Sequence, residues 1–349
     1  MPQSNPGSFG EKPRFGKRSV WLIDAPQSVT VSIPARLHFG FLDLNGGVGR
    51  KFGSIGLSIS GLRTRINIAH ADETRVTGPD SERARRHLDS MCQFLGLAGG
   101  YRLDILEAVP SHAGLGSGTL LALAVAAGIR RLHGLPHDIR ADALRLGRGS
   151  RSGVGIGLFE SGGLVVDGGH GAQPGVAPII SRMPFPENWR IVLVFDPAGA
   201  GLHGEDEIAA FNRLPPFPAG DAATICRLVL MQALPAVAEA DLVSFATAIK
   251  RMQALLGAYF APLQGGRAFA NAKIAAALEL LEGEGAVGIG QSSWGPTGFA
   301  FAGTNGDALR LAEFVRKHPR CRGLEIRVCK GLNHGAEITA GAAPAAPRS

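Results

Sequence analysis

A glycine-rich segment followed directly by a long apolar run is the feature that most constrains the fold of this chain. Residues 109–119 read VPSHAGLGSGT, and residues 120–129 are apolar throughout. The alternating pattern of residues 101–109 predicts a strand before the segment, so the order is strand, loop and buried helix. Glycine lets backbone amides approach an anion closely, and a helix N-terminus directs its unpaired N–H groups and positive dipole end there. The segment therefore predicts a phosphate or pyrophosphate site.

Six residues of this loop are candidate phosphate ligands: Ser111, Gly114, Gly116, Ser117, Gly118 and Thr119. The hydroxyls of Ser111, Ser117 and Thr119 are predicted to act as donors and as helix N-caps. The alternative is a tight connection without a ligand. No Gly-Lys-Ser/Thr follows and the three-glycine dinucleotide pattern is absent, so the loop is neither a P-loop nor a dinucleotide fingerprint.

Composition limits the class of protein. The chain has 349 residues, 45% hydrophobic and 19% charged, which suits about two globular domains. The net charge of +7 is spread without a long basic block and aromatic residues make up only 6%, so we expect no nucleic-acid partner but a polyanionic small substrate. No apolar run approaches the ~20 residues of a membrane span, and no signal-peptide core is present. We expect a cytoplasmic homodimer without a membrane partner, with reduced cysteines and no zinc site, since no C-x-x-C pair occurs.

Periodicity along the chain predicts an α+β protein. Strands are expected at 28–34, 57–59, 64–69, 101–109, 190–195, 287–289, 298–302 and 324–328, with a strand pair at 158–167. Helices are expected at 81–97, 120–132, 138–146, 222–234, 241–260 and 271–281. The predicted organisation is a flexible N-terminal extension (1–27), a first domain with the phosphate loop (28–188), a second domain (189–336) and a disordered tail (337–349).

A second polar segment crowds six candidate ligands into sixteen positions beside glycines: Arg36, His38, Asp43, Asn45, Arg50 and Lys51. In one interpretation, Arg36 and Asp43 form a surface ion pair and His38 is an ordinary strand histidine. The density of charge favours a polyanion site instead. Arg50 and Lys51 suit phosphate or carboxylate, and Asp43 suits Mg²⁺ or stabilisation of a cation.

A third segment, residues 288–300, is a polar turn after a strand. Gln291, Ser292 and Ser293 are candidate anion ligands, and Trp294 could stack on an aromatic ring. An ordinary turn with a core tryptophan is the alternative.

Three observations concern the rest of a site. Residues 153–159 contain no carboxylate, and the nearest are Glu160 and Asp167, which argues against phosphoryl transfer to an alcohol. Arg148 and Arg151 flank that run and either meet phosphate or are solvated. A loop with Asp196, His203 and Glu205 is a weaker candidate at a domain cleft.

The order Pro-x-x-x-Gly-Leu-Gly-Ser in the loop resembles the PxxxGLGSSA motif of the GHMP kinase superfamily, with Gly118 and Thr119 where that motif has Ser and Ala. With RLHFGFLDLNG at residues 36–46 and the third segment, the chain resembles the β-ribofuranosylaminobenzene 5′-phosphate synthase family from about residue 28 to about residue 334. The resemblance implies a GHMP-kinase fold, with a ribosomal S5 domain 2-like N-terminal domain and a ferredoxin-like C-terminal domain.

The resemblance also implies a reaction. The family joins phosphoribosyl pyrophosphate to the ring carbon of a 4-substituted benzoate, 4-aminobenzoate or 4-hydroxybenzoate, releasing CO₂ and pyrophosphate early in tetrahydromethanopterin biosynthesis. The glycine loop with Mg²⁺ would hold pyrophosphate, and Asp43 would bind the metal or stabilise the ribosyl cation. Arg50 would hold the benzoate carboxylate, and Lys51 or Arg36 the 5′-phosphate. An ATP-dependent GHMP kinase and a non-catalytic binding protein are the alternatives.

Overall fold

The strands and helices build two sheets. The computed structural model describes residues 26–197, 199, 213–293 and 295–341. Its strands are β1 (Ser28–Asp43), β2 (Phe52–Ala71), β3 (Arg75–Thr77), β4 (Gly100–Glu107), β5 (Leu164–Asp167), β6 (Ile179–Met183), β7 (Arg190–Phe195), β8 (Val287–Gln291), β9 (Thr297–Ala302), β10 (Glu325–Lys330) and β11 (Glu337–Gly341). Its α-helices are α1 (Ser81–Leu95), α2 (Ser117–Leu132), α3 (Ile139–Arg145), α4 (Val154–Ser161), α5 (Ala219–Leu228), α6 (Leu234–Ala238), α7 (Leu242–Phe260), α8 (Ala272–Gly283) and α9 (Asn305–Lys317). The α+β class predicted from the sequence is confirmed.

The first sheet carries the predicted phosphate loop. Its order is β11-β1-β2-β4-β3, and β5 pairs with β2 and with β6. The long strands β1 and β2 pair antiparallel, with a register shift between His38 and Gly40. Helix α2 packs on both strands, and its apolar residues are buried almost throughout. A helix that is apolar on all sides must be buried, and this packing aims the N-terminus of α2 at the middle of β1.

The second sheet is antiparallel, in the order β10-β7-β9-β8. Alternate residues of β7 belong to different cores: Ile191 and Leu193 join the core shared with the first sheet, and Val192 and Val194 pack with α8 and α9. Because side chains in a strand point alternately to opposite faces, a strand buried on both sides is apolar without interruption. This arrangement of four strands and covering helices agrees with the predicted ferredoxin-like domain.

The two sheets share one core. The Phe39 ring of β1 lies 5.2 Å from the Phe299 ring of β9 and 5.7 Å from the Phe301 ring, measured between centroids. It also contacts Phe245 of α7, at 6.0 Å. Edge-to-face aromatic packing of this kind joins the halves of the molecule through β1.

Several predicted elements differ in the structure. The strand pair predicted at 158–167 is wrong in its first half, because Val154–Ser161 is helix α4. Residues 154–159 are all buried, so α4 shows no amphipathic period that would separate it from a buried strand. The strands predicted at 57–59 and 64–69 are parts of β2, and α9 and β6 were not predicted.

The predicted disordered tail is wrong for its first five residues. Residues Glu337–Gly341 form β11, which pairs antiparallel with Ser28–Ser32 of β1. This pairing satisfies backbone hydrogen-bonding groups along the edge of β1. The local sequence of residues 337–341 does not reveal it, because the partner strand lies at the other end of the chain. Residues 1–25 of the predicted extension and residues 342–349 lie outside the described part. The predicted domain boundary between residues 188 and 189 falls between β6, which belongs to the first sheet, and β7, which belongs to the second.

One described helical stretch, Ala219–Ala238, is long and apolar enough to cross a membrane, with a mean hydropathy of 1.3. It consists of α5, a π-helical turn (Val229–Ala233) and α6, and it packs on α7. A helix that packs inside a protein core passes the same test, so this stretch is weak evidence for a span.

Candidate active site

A cavity of about 530 Å³ opens where the glycine loop, β1, α7 and the loop before α4 meet. Six of its lining residues are arginines or histidines: Arg36, His38, Arg83, His112, Arg148 and Arg151. No Asp or Glu is among the lining residues in the described part of the chain. The volume lies within the ~300–1,000 Å³ of small-molecule sites. A cavity whose described lining carries this much positive charge and no carboxylate is suited to polyanions.

The glycine loop meets this cavity through Gly114 and the first turn of α2, Gly116 to Thr119. Helix α2 begins at Ser117, after Gly116 in the left-handed conformation (φ +83°), and no side chain caps it. The prediction that Ser111, Ser117 or Thr119 caps the helix is therefore wrong. A glycine in the left-handed region turns the chain directly into the helix and leaves the first amides without a side-chain partner.

Ser111 does not line the cavity. Its hydroxyl donates to the Asp80 carboxylate at 2.7 Å and accepts from the Arg83 guanidinium at 2.8 Å. Arg83 also forms an ion pair with Asp80. Ser111 thus holds a cavity arginine in place, and its role as a direct phosphate ligand stays a prediction.

Arg36 lies against the loop. Its backbone N–H donates to the Leu115 carbonyl at 3.2 Å, and a Cβ atom added to Gly116 would lie 2.5 Å from Arg36 Nε. The Arg36 side chain therefore occupies space that only glycine leaves open at position 116. The first and second polar segments of the sequence meet at this contact.

The third segment joins the same site. The Ser292 hydroxyl accepts from the His38 N–H at 3.0 Å and donates to the Gly114 carbonyl at 2.8 Å, and it is fully buried. The backbone N–H of Ser293 donates to the His38 carbonyl at 3.2 Å. One serine thus connects β1, the glycine loop and the turn before β9. Ser293 lines the cavity in the left-handed region (φ +53°), whereas Trp294 lies outside the described residues.

His38 is an uncharged member of the cavity. Its side chain is 1% exposed, and its Nδ1 atom has no hydrogen-bond partner. Burial, together with the positive charges of Arg36 and Arg151, holds the pKa of His38 well below its usual value. A neutral imidazole contributes no positive charge to an anion, but it can accept a hydrogen bond.

Two glutamines of the cavity lining, Gln253 and Gln291, connect the elements that form it. The side chain of Gln253, in α7, donates to the carbonyls of Phe39 and Gln291 and accepts from the Gln291 N–H at 2.9 Å. Gln291 in turn bonds Gln264 and the N–H of Ala270, each at 2.9 Å. Gln291 lines the cavity with both ends of its amide engaged in this network, and its role as an anion ligand stays a prediction.

Sequence reasoning missed several lining residues, among them Arg83, His112 and Gln253. Gln253 carried a signal, since it is a polar residue on the buried face of the apolar helix α7. Arg83 carried none, because exposed arginines are common on amphipathic helices such as α1. His112 adopts a positive φ of 61°, which is unusual for a residue other than glycine and marks the loop as constrained.

Besides Ser111 and Ser292, four predicted site residues do not line the cavity: Asp43, Asn45, Arg50 and Lys51. The Asp43 carboxylate accepts from the N–H groups of Asn45 and Gly46 at 2.7 and 2.9 Å, which forms a turn at the end of β1. Asn45 donates to the Phe217 carbonyl at 2.5 Å. Lys51 is exposed, with its ammonium 5.8 Å from the Phe52 ring centroid. The catalytic role of Asp43 and the ligand roles of Asn45 and Lys51 stay predictions.

Arg50 lies at a second, smaller cavity of about 270 Å³, formed with residues 169–176 and 178. Its guanidinium donates to the carbonyls of Gly168 and Gly169 at 2.8 and 2.7 Å. These bonds hold the loop after β5 against the connection between β1 and β2. Its proposed part in catalysis stays a prediction.

The two carboxylates nearest to the carboxylate-free run are both engaged. Asp167 is fully buried and accepts from the Ser54 hydroxyl at 2.5 Å and from the N–H groups of Gly153 and Gly169, each at 2.9 Å. Burial raises the pKa of Asp167, and these hydrogen bonds oppose that rise. Glu160 forms an ion pair with Arg182. Neither lines the cavity, so a kinase-type carboxylate base is absent from its described lining.

The cavity lining does not fit a magnesium ion held by protein carboxylates. Mg²⁺ is bound in proteins through carboxylates together with substrate phosphates, and the described lining offers guanidinium, imidazole, amide and hydroxyl groups instead. No group of three His, Cys, Asp or Glu residues within the described ranges is arranged to hold a metal. Asp43, the predicted ligand, is engaged in its turn.

Known proteins resemble this chain in sequence and fold. The GHMP kinases N terminal domain family matches residues 82–161, and the GHMP kinases C terminal family matches residues 233–321. The fold is similar to phosphomevalonate kinase from Streptococcus pneumoniae (TM-score 0.65, 14% identity, 88% of this chain and all of that one). It is also similar to a mevalonate kinase from Methanococcus jannaschii (TM-score 0.63, 13% identity, 87% and 98%). At these identities the likeness concerns the fold alone.

Curated relatives are closer in sequence. A protein named beta-ribofuranosylphenol 5'-phosphate synthase from Archaeoglobus fulgidus is 35% identical over 87% of this chain and 97% of its own length. Proteins of the same name from Methanothermobacter thermautotrophicus (30% identity, 76% and 86%) and Methanocaldococcus jannaschii (35%, 64% and 76%) also match. With the glycine loop, the β1 segment and the turn before β9 joined at one cationic cavity, the chain belongs to the beta-ribofuranosylphenol 5'-phosphate synthase family, on the GHMP kinase fold.

Proposed function

We propose that this chain transfers ribose 5-phosphate from phosphoribosyl pyrophosphate to the ring carbon of 4-hydroxybenzoate or 4-aminobenzoate, with release of CO₂ and pyrophosphate. The observation that carries the proposal is the cavity, which is lined by four arginines and the open N-terminus of α2 and has no carboxylate in its described lining. Both substrates are anions, and the relatives' name contains the phenol that 4-hydroxybenzoate becomes when it loses its carboxylate. Family membership makes this product class the closest precedent.

The bond changes balance without an organic cofactor. The C1′–oxygen bond of the ribose breaks and pyrophosphate leaves with the electron pair. The ring carbon that bears the carboxylate forms a bond to C1′, and the ring–carboxylate bond then breaks so that its electron pair restores the aromatic ring. Positive groups that face the leaving pyrophosphate stabilise charge that grows in the transition state.

His38 suits the para substituent of the ring. A hydroxyl in that position donates electrons to the ring more strongly when it gives a hydrogen bond, and the neutral buried imidazole can accept that bond at Nδ1. The T-shaped contact between the His38 and Phe41 rings, 5.0 Å between centroids, fixes the imidazole beside an aromatic wall. We assign His38 this role in place of phosphate binding.

Magnesium enters this proposal as an ion carried by the pyrophosphate substrate, and no step is assigned to it because the described lining supplies no carboxylate ligand. The cytoplasmic location, the homodimer, the absence of nucleic-acid and membrane partners, and the place early in tetrahydromethanopterin biosynthesis remain predictions.

The test is an incubation of the protein with phosphoribosyl pyrophosphate, Mg²⁺ and carboxyl-labelled 4-hydroxybenzoate, with 4-aminobenzoate in a parallel reaction. We expect labelled CO₂ and pyrophosphate in equal amounts. A second arm offers ATP and small alcohols; ATP consumption without CO₂ release from either benzoate would make the chain a GHMP kinase instead. The variants Asp43→Asn and Arg50→Ala test the two predicted catalytic residues, and full turnover in either removes that residue from the mechanism.

A further inference from the structure

Two arginines meet above the first turn of α2, one from α1 and one from the loop after α3. A Cβ atom added to Gly118 would lie 3.2 Å from Arg148 Nη1 and 3.4 Å from Arg83 Nη1. Both guanidinium groups therefore reach the same point over the helix N-terminus, and both line the cavity. Position 118 is where the loop departs from the GHMP kinase motif, which has serine there.

The positive charges of the two arginines are not balanced to the same extent by acidic residues. Arg83 forms an ion pair with Asp80 and bonds the Ser111 hydroxyl. Arg148 makes no ion pair in the described part of the chain, and its buried Nε atom has no hydrogen-bond partner. Its Nη2 atom lies 3.5 Å from Nε2 of His87, a residue whose pKa is lowered to about 4 by burial and by neighbouring arginines. A neutral His87 can only accept from Arg148, so it positions that side chain without neutralising it.

Like charges that converge at a helix N-terminus are unfavourable until an anion joins them. The dipole of α2 adds partial positive charge at the same place, and no acidic residue lies in its first turn. A pyrophosphate group has the size and charge to accept from both planar guanidinium groups and from backbone amides at once, since guanidinium binds phosphate oxygens in a bidentate manner.

We propose that Arg83 and Arg148 form a diphosphate clamp over Gly118 that binds the pyrophosphate group of phosphoribosyl pyrophosphate and holds it as it leaves. The identity of the ligand rests on the proposed function, whereas the clamp itself rests on the geometry. The 5′-phosphate and the benzoate then bind in the part of the cavity lined by Arg36 and His38.

The test is calorimetric titration of the full-length protein with inorganic pyrophosphate, and separately with ribose 5-phosphate. We expect Arg148→Ala and Arg83→Ala each to weaken pyrophosphate binding by about 10- to 100-fold, because a charge-assisted hydrogen bond is lost. Ribose 5-phosphate should bind these variants as it binds the wild type. Arg86→Ala, an exposed arginine on the same helix as Arg83, is the matched control and should change neither affinity.

A thermal melt without ligand separates binding from folding. Because Arg148 faces Arg83 without a counter-ion, Arg148→Ala should melt at the wild-type temperature or above it, and pyrophosphate should stabilise the wild type but not the variant. A lower melting temperature for unliganded Arg148→Ala, or pyrophosphate affinity unchanged in both variants, would overturn the clamp. Loss of ribose 5-phosphate binding alone would also overturn it, since the arginines would then hold the other phosphate.

Titrations with phosphoribosyl pyrophosphate and ATP identify the source of the diphosphate. We expect Arg148→Ala to weaken the binding of phosphoribosyl pyrophosphate. If the variant weakens ATP binding but not phosphoribosyl pyrophosphate binding, the assignment is refuted. The outcomes for the proposed function are distinct. If pyrophosphate binding depends on Arg148 but the protein releases no CO₂, the clamp is supported and the synthase activity is rejected. If the protein releases CO₂ but pyrophosphate binding does not depend on Arg148, the synthase activity is supported and the clamp is rejected.

Discussion

Gly116 carries two constraints at one position, a backbone conformation and a close contact. Its φ of +83° lies in the region that other L-residues rarely adopt, and the Arg36 side chain fills the space where a Cβ atom would lie. The first constraint concerns stability and the second concerns the cavity. Gly134 allows the two constraints to be tested separately. It has a similar backbone conformation, with a φ of +64°, but no atom lies within 4 Å of its Cβ position.

Gly116→Ala and Gly134→Ala should therefore lose similar stability but differ in activity. Each alanine in the left-handed region costs about 1–2 kcal/mol, measurable by urea denaturation. Only Gly116→Ala displaces Arg36, so we expect its kcat/KM for phosphoribosyl pyrophosphate to fall at least about tenfold while Gly134→Ala keeps wild-type kinetics. Equal kinetics in the two variants would show that the Arg36 contact does not matter for turnover.

Buried neutral histidines make the fold sensitive to acid. His38 and His87 have lowered pKa values in the folded chain, to about 4 for His87, whereas in the unfolded chain a histidine titrates near pH 6.5. Above that pH neither state binds the proton and the shift has no effect. Below that pH the histidines of the unfolded chain become protonated, whereas those of the folded chain stay neutral. The free energy of unfolding therefore falls, for each such histidine, by up to about 1.4 kcal/mol per pH unit.

The free energy of unfolding should accordingly decrease between pH 6.5 and pH 4, and His87→Gln should reduce that slope. Denaturant titrations at several pH values measure it. A slope that His87→Gln leaves untouched would mean that His87 is protonated in the folded protein.

At the scale of elements, the turn between β8 and β9 holds the glycine loop in position. Ser292 satisfies a buried N–H of β1 and a carbonyl of the loop, and the Thr297 hydroxyl donates to the Ala113 carbonyl at 2.7 Å. These bonds link segments that lie far apart in the chain. The loop is therefore shaped by the second half of the molecule as well as by its own glycines.

Ser292→Ala should loosen this connection. It leaves two backbone groups without partners, at a cost of about 1–3 kcal/mol in the free energy of unfolding, and it should weaken pyrophosphate binding because the loop loses its anchor. Thr224→Ala, which removes a hydroxyl that bonds within its own helix, should cost less than about 0.5 kcal/mol. Wild-type stability in Ser292→Ala would indicate that water replaces the hydroxyl.

Most elements with a clear period were predicted from the sequence, and elements without one were not. Helix α9 is an exception, because its buried positions 308, 311, 312 and 315 follow a helical period that the prediction missed. Helices α1, α2 and α7 lie close to their predicted ranges, because their apolar spacing or length is diagnostic. Helix α4 is buried on every side and β11 depends on a partner strand 300 residues away in the chain, so local pattern has no means of revealing either.

At the scale of the molecule, the core around Phe39 joins the two sheets. The ring packs on α7 and on two phenylalanines of β9 and is fully buried. A shared core of this kind couples the unfolding of the two halves, although family matches divide the chain into N-terminal and C-terminal parts. The cavity lies along the same junction, so activity depends on this packing.

Phe39→Ala should destabilise the whole protein by about 3–5 kcal/mol, the cost of a large cavity in an aromatic core. We expect one cooperative transition in urea, with far-UV circular dichroism and tryptophan fluorescence coincident, displaced to lower denaturant. Phe94→Ala, whose ring is 42% exposed, should cost far less. Two separate transitions in the wild type would show that the halves fold independently.

By itself, the amino-acid sequence determined the α+β class, the glycine loop at the start of α2 and the family, because glycine spacing, apolar period and rare motifs are local properties of the chain. Only the tertiary structure decided which charges share a cavity. It brought Arg83 and Arg148 to Gly118, placed Arg36 in the space that Gly116 leaves, and directed Arg50 to backbone carbonyls of the loop after β5. A charged residue in a sequence carries no mark of its partner, since the contact that neutralises it or leaves it open comes from elements distant in the chain.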